Sequence, residues 1–225
     1  MNQGVSLGIF LSGSCYNKSL LIGFGINQII AKMIRTNLLL LPFYGLLWCT
    51  AANALPGQST ETVAAWINAN PTLRPSIGDG LRVTKSSTAA QRFTFQASVL
   101  PPGRITLPKN RGIIRSEQMT FYDAINGVTL DRLKESLRVI YGPTVYEDFD
   151  RAKLVYEYPT PQIIDLGRRQ NRPLLERQQG ELRLGDRFAY WIEITKTDKD
   201  NALNGRVTVF LKEDLDKLEA ELRDR

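Results

Sequence analysis

The chain has 225 residues, with 29 Lys and Arg against 23 Asp and Glu, no histidine, and two cysteines, Cys15 and Cys49. With no imidazole, and with both thiols in the first quarter, the rest of the chain has no histidine-based nucleophilic relay, no thiolate or imidazole zinc site and no internal disulfide. Carboxylate, lysine, tyrosine and hydroxyl chemistry is left, and no cofactor or metal is expected.

Residues 33 to 54 carry the three parts of a secretory signal peptide. Arg35 supplies the positive start, an apolar run extends from Leu38 to Trp48, and Ala52-Asn53-Ala54 has the small residues that processing requires. Cleavage after Ala54 and a mature start at Leu55 are expected. Because such a signal stands at an N-terminus, Met33 is the expected initiator and residues 1 to 32 an over-extended start. The apolar run has eleven residues, short of the roughly 20 that span a hydrocarbon core, and Pro42 interrupts it. Lipidation of Cys49 is disfavoured by Trp48, since the residue before a lipidated cysteine is small. The pattern predicts export to the periplasm or another extracytoplasmic compartment, with membrane contact only through a transient signal.

Residues 55 to 225 are enough for one exported domain without disulfide staples; 55 to 118 and 119 to 225 are a possible subdivision. Removing Lys18, Lys32 and Arg35 lowers the whole-chain balance from +6 to +3. That mild excess and the exported address argue against nucleic acid as a partner.

Ser59 caps a short helix through Val63, Trp66 and Ile67 that Asn70-Pro71 ends. Pro71 to Gly80 reads as a loop. Leu81-Arg82-Val83 and Arg92 to Ala97 alternate as strands, and Pro101-Pro102-Gly103 is a stop. Arg104 to Arg115 reads as loop and edge strand, and Met119 to Ile125 as strand or turn before Asn126-Gly127. The strongest helical pattern runs from the cap Thr129 to Tyr141, with Leu130, Leu133, Leu137 and Ile140 on one face, and Gly142-Pro143 ends it. Ala152 to Tyr158 reads as a strand with Leu154, Tyr156 and Tyr158 on one side. A polar, arginine-rich connection leads to the strand Arg187 to Lys196, with Phe188, Tyr190, Ile192 and Ile194 inward and Glu193 outward. A loop ending in Asn204-Gly205 then makes a hairpin with Val207, Val209 and Leu211. Leu215, Leu218 and Leu222 define an amphipathic helix in the tail. The fold class is α+β: an antiparallel sheet with a few packed helices in a single compact domain.

From Gly127 onward the order Gly127-Val128-Thr129, Leu133, Gly142-Pro143, Val155-Tyr156-Glu157-Tyr158 and Val207-Thr208-Val209-Phe210 resembles the small outer-membrane assembly lipoproteins of the SmpA/OmlA (BamE) type. The Thr129 to Gly142 segment is about one helical turn longer than the family pattern, an insertion that keeps the buried face in phase, and the lipobox is missing. The resemblance implies an α+β envelope domain.

Three groups are candidate sites. Glu147, Asp148 and Asp150 follow the main helix; Asp148 with Glu157 would supply the two carboxylates of a glycan hydrolase, with Tyr146 and Phe149 raising a pKa. The competing reading, a solvated turn, is favoured because such clusters are common. Asp198, Asp200 and Asn201 suggest calcium, but Ala202 and Leu203 stand where the loop rule needs other residues, so a hairpin loop is expected. Arg168, Arg169, Arg172 and Arg183, with Arg177 and Arg187, would grip an anionic surface or an acidic partner; Glu176, Glu181 and Asp186 interleave them, as on a mixed solvated face. Trp66 and Trp191 read as packing. The expectation is a non-enzymatic, exported envelope protein that binds another envelope protein or an anionic surface. The alternative is a carboxylate-dependent hydrolase of envelope glycan.

Overall fold

The structure is a computed structural model, described here for residues 55–106, 110–197 and 201–225. The signal-peptide pattern, both cysteines, Asp198 and Asp200 lie outside the described residues. The elements in order are α1 (Thr60–Ala69), β1 (Arg82–Thr88), β2 (Gln91–Ser98), β3 (Ser116–Asp123), α2 (Leu130–Tyr141), α3 (Pro143–Asp150), β4 (Lys153–Tyr158), α4 (Pro161–Arg169), α5 (Pro173–Arg177), β5 (Gln178–Leu184), β6 (Ala189–Lys196), β7 (Ala202–Phe210) and α6 (Leu215–Arg223). The seven strands form one antiparallel sheet in the order β1-β2-β3-β7-β6-β5-β4. The fold is thus α+β, as the sequence predicts. The possible break between residues 118 and 119 falls inside β3, which is hydrogen-bonded to β2 on one side and β7 on the other.

The helix ends follow from local chemistry. Ser59 Oγ accepts the Thr62 N–H and Thr129 Oγ1 accepts the Arg132 N–H, each satisfying one of the free donors of a first turn. Gly142, at φ +82°, ends α2 in a conformation that side-chain-bearing residues avoid. Pro143 then occupies the first position of α3, where its missing N–H costs nothing. The Gly-Pro pair therefore stops one helix and starts another, and the acids expected on a turn ride on α3 instead.

The sheet has two differently covered faces. On one, Phe95, Met119, Val207, Val209 and Ile192 pack beneath Val63 and Ile67 of α1, Leu133 and Leu137 of α2, and Phe149 of α3. On the other, Tyr156, Tyr158, Leu182, Trp191 and Phe210 pack against Leu215, Leu218 and Leu222 of α6. Since successive strand residues point to opposite faces, β6 is covered on both sides and every residue from Ala189 to Ile194 is buried. Glu193, expected to face water, is only 6% exposed. Central position in the sheet, which alternation does not encode, makes the difference.

Three further expectations change. The register shift between Leu154 and Tyr156 turns Leu154 outward, 44% exposed, while Tyr156 and Tyr158 stay buried. The arginine-rich connection folds into α4, α5 and β5, where Gly180 and Leu182 face inward and the polar residues between them share the other side. Asn204-Gly205 lies within β7, paired with Thr195 and Ile194, and is not a turn. Gly205 is there for space: a Cβ would stand 2.7 Å from Val128 Cγ1 and 2.9 Å from Leu133 Cδ1. Gly205→Ala should therefore lower unfolding stability by about 2 kcal/mol through overpacking, read as a shift of the urea midpoint.

Candidate functional site

The two carboxylates proposed from sequence are not brought together. Asp148, on α3, is 4% exposed. Its Oδ1 accepts the N–H groups of Asp186 (2.9 Å) and Arg187 (3.2 Å), and its Oδ2 accepts the Tyr190 hydroxyl at 2.6 Å. All of these come from the β5–β6 turn and the start of β6, so Asp148 is a fastening of that turn. Glu157 is exposed on the edge strand β4, across from Glu181, and lines a small cleft with Pro159 and Ile164 that Asp148 does not reach.

The arginines also separate. Arg168, Arg169 and Arg172 are exposed at the end of α4, Arg168 bonded to Glu176 at 2.8 Å. Arg183 is instead drawn into the helical side of the sheet, 2.9 Å from Glu181 and with its guanidinium 5.2 Å from the centre of the Phe149 ring. Trp66, stacked on Tyr141 at 6.1 Å, and Trp191, 2% exposed, are packing residues. Trp191 also borders a cleft, with the Arg206 guanidinium lying over its ring.

A different surface emerges from the uneven cover. α6 shields β4 to β6 and the Phe210 end of β7, and the same face of β1, β2, β3 and the 204–206 part of β7 stays open. Alternation places polar residues there: Arg82 on β1, Arg92, Thr94 and Gln96 on β2, Gln118, Thr120 and Tyr122 on β3, Asn204 and Arg206 on β7. These line two clefts of about 390 and 450 Å³ that share Gln96 and Gln118 and so form one trough. Four strands at the usual spacing make it about 15 Å across. Leu100 to Ile105 wall one end, with Arg225 and Glu221 beside them.

Charge in the trough is one-sided. The described lining residues include Arg82, Arg92, Arg104, Arg206 and Arg225, and one acid, Glu221. Glu221 accepts the Arg104 N–H at 2.7 Å and meets Lys217 Nζ at 2.8 Å, and this hydrogen bonding and charge outweigh its partial burial and hold its carboxyl below the usual range. The inner end is anchored by Glu193. It takes Arg206 at 2.6 Å and Arg225 at 2.8 Å, and accepts the Tyr158 hydroxyl. Trp191 Nε1 donates to that same Tyr158 oxygen at 2.8 Å, and the Arg206 guanidinium lies 3.9 Å from the Trp191 ring centre. Burial, then the Glu193 charge, raise the Tyr158 pKa, so the phenol is a fixed donor. Two guanidiniums for one buried carboxylate leave a net positive mouth.

Sequence reading missed these residues because they are spread over strands far apart in the chain. The available signal was weak: polar residues alternating with Val83, Phe95 and Met119 mark a sheet face that faces solvent, without saying that the faces adjoin. In chemical terms the trough offers guanidinium, amide and hydroxyl donors to an anion. Its described lining holds no second carboxylate to work with Glu221 as an acid–base pair. Among the described residues no group of three or more His, Cys, Asp or Glu is placed to hold a metal ion, and no helix is long and apolar enough to cross a membrane. Comparison with family models, with curated proteins and with solved structures finds no match.

Proposed function

We propose that the chain is an exported, non-enzymatic cell-envelope domain that acts by binding, and that it holds an anionic envelope polymer in the trough formed by β1, β2, β3 and β7. The observation that carries this is the open half-sheet with five arginines against one acid, floored by amides and hydroxyls. Protein interfaces draw their energy from buried aromatic and aliphatic anchors, whereas this floor is mainly amide, hydroxyl and guanidinium groups, with Tyr122 and the Arg206-covered Trp191 as its aromatic residues. Side-chain amides and hydroxyls suit the hydroxyl groups of a glycan, and guanidinium suits its carboxylates or sulfates. The signal-peptide pattern and the resemblance to envelope lipoproteins support the location. Asp148, tied to a turn, and Glu157, on a separate edge, do not support the hydrolase alternative.

Two measurements test it. N-terminal sequencing of the protein recovered from its native envelope should begin at Leu55. The same protein should bind an acidic polysaccharide such as polygalacturonate with an affinity that falls with salt. Arg82→Glu with Arg92→Glu should weaken that binding roughly tenfold or more, while Arg168→Glu with Arg169→Glu should leave it nearly unchanged. Equal effects of the two pairs would refute the trough as the site.

A further inference from the structure

On the opposite, helical face of the sheet the cover is incomplete between α2 and the β1–β2 hairpin. A groove of about 450 Å³ opens there, within the roughly 300–1,000 Å³ of ligand pockets. Its floor is Phe93 and Phe121, paired with ring centres 5.0 Å apart, and one wall is Val139 and Ile140 of α2. Val139 is 54% exposed, an apolar side chain left facing the opening.

The charged rim is asymmetric. Asp123 is taken by Arg132 at 2.6 Å and by the N–H groups of Ile125 and Asn126; these bonds, that of Asn126 foremost, hold its carboxyl well below the usual range. Glu135 is bonded by Arg138. The other two charged residues on the groove are cations, Lys85 and Arg92. Lys85 Nζ donates to the Thr72 carbonyl at 2.6 Å, and among the described residues neither cation has a carboxylate partner. Apolar floor, apolar wall and two cations without acids together describe a site for an apolar body with one negative end.

We propose that this groove binds a small amphiphilic anion, a carboxylate carried on an aliphatic chain, with the chain on Phe93, Phe121 and Val139 and the carboxylate at Lys85 and Arg92. The groove opens on the face opposite the polymer trough and shares Arg92 and Tyr122 with it at the β2–β3 edge, while Lys85, Phe93, Phe121 and Val139 belong to the groove alone. Titration calorimetry of the full chain with octanoate, decanoate and dodecanoate, each below its micelle concentration, tests it. Affinity should rise about fourfold per added methylene while the groove fills. Val139→Glu, a change at an exposed position, should abolish binding. Lys85→Gln should weaken dodecanoate tenfold and leave dodecanol unchanged, a difference that general loss of structure would not produce. Urea unfolding of both variants checks that the fold is kept. Absence of dodecanoate binding, or binding unaffected by either substitution, would overturn the assignment, as would equal affinity for dodecanoate and dodecyltrimethylammonium.

Discussion

Glu117→Gln should make the protein more stable above pH 7 by an amount on the order of 3 kcal/mol, and should nearly abolish that gain at pH 5. Glu117 lies on β3 in the main core and is 0% exposed. Its Oε2 accepts the Tyr141 hydroxyl at 2.8 Å, and its Oε1 has no hydrogen-bond partner. Burial penalises the charged form and pushes the pKa from 4.5 up to about 7, with the Tyr141 hydrogen bond opposing only part of the rise. The sign follows from proton counting. Between pH 4.5 and 7 the folded state keeps a proton that the unfolded chain gives up, so stability falls as pH rises through that window and levels off above it. One pKa unit corresponds to about 1.4 kcal/mol, which sets the size. Glutamine keeps an acceptor for Tyr141 and has no charge to lose. Urea unfolding of both proteins at pH 5 and pH 8 gives four midpoints; parallel pH dependence in the two would show that Glu117 is not the titrating group.

Asp148→Ala should lower stability by about 4 kcal/mol at neutral pH. The change strands the N–H groups of Asp186 and Arg187 and the buried Tyr190 hydroxyl, whose remaining contact is the Val145 carbonyl at 3.4 Å. Bonds to a charged acceptor are worth about 1.5–3 kcal/mol each, and unsatisfied buried donors add a desolvation cost. Gly185 lies against the same carboxylate, where a Cβ would stand 2.4 Å from Asp148 Oδ2, so the turn has been built closely around this group. Glu157→Gln, at an exposed edge, should change stability by less than about 0.5 kcal/mol. A midpoint for Asp148→Ala within that smaller range would mean the β5–β6 turn does not rely on α3.

Legibility differed by element for physical reasons. The α2 helix, from its Thr129 cap to Gly142, was readable because its buried residues recur at helical spacing and its ends carry side-chain signals. The β6–β7 hairpin and α6 were readable by alternation and by the Leu215, Leu218, Leu222 stripe. By contrast α3 begins at a proline that also reads as a stop, and β5 shows buried Gly180 and Leu182 among two glutamines, a glutamate and an arginine. Those polar residues meet each other and side chains from α2 and α3: Arg183 lies 2.9 Å from Glu181, Lys134 lies 3.5 Å from Glu181, and the Arg183 guanidinium sits over the Phe149 ring. No local pattern announces such partners.

The sequence by itself determined the α+β class, the main helix with its caps, the antiparallel hairpin and the absence of histidine, because periodicity, capping and composition are properties of neighbours along the chain. Only the tertiary structure decided that β6 is buried on both sides, that Asp148 fastens a turn, and that arginines from β1, β2 and β7 share one trough. Those outcomes depend on the strand order β1-β2-β3-β7-β6-β5-β4 and on α6 covering half a face. Pairing between distant segments is set by the summed burial of the whole chain, so no short stretch carries it.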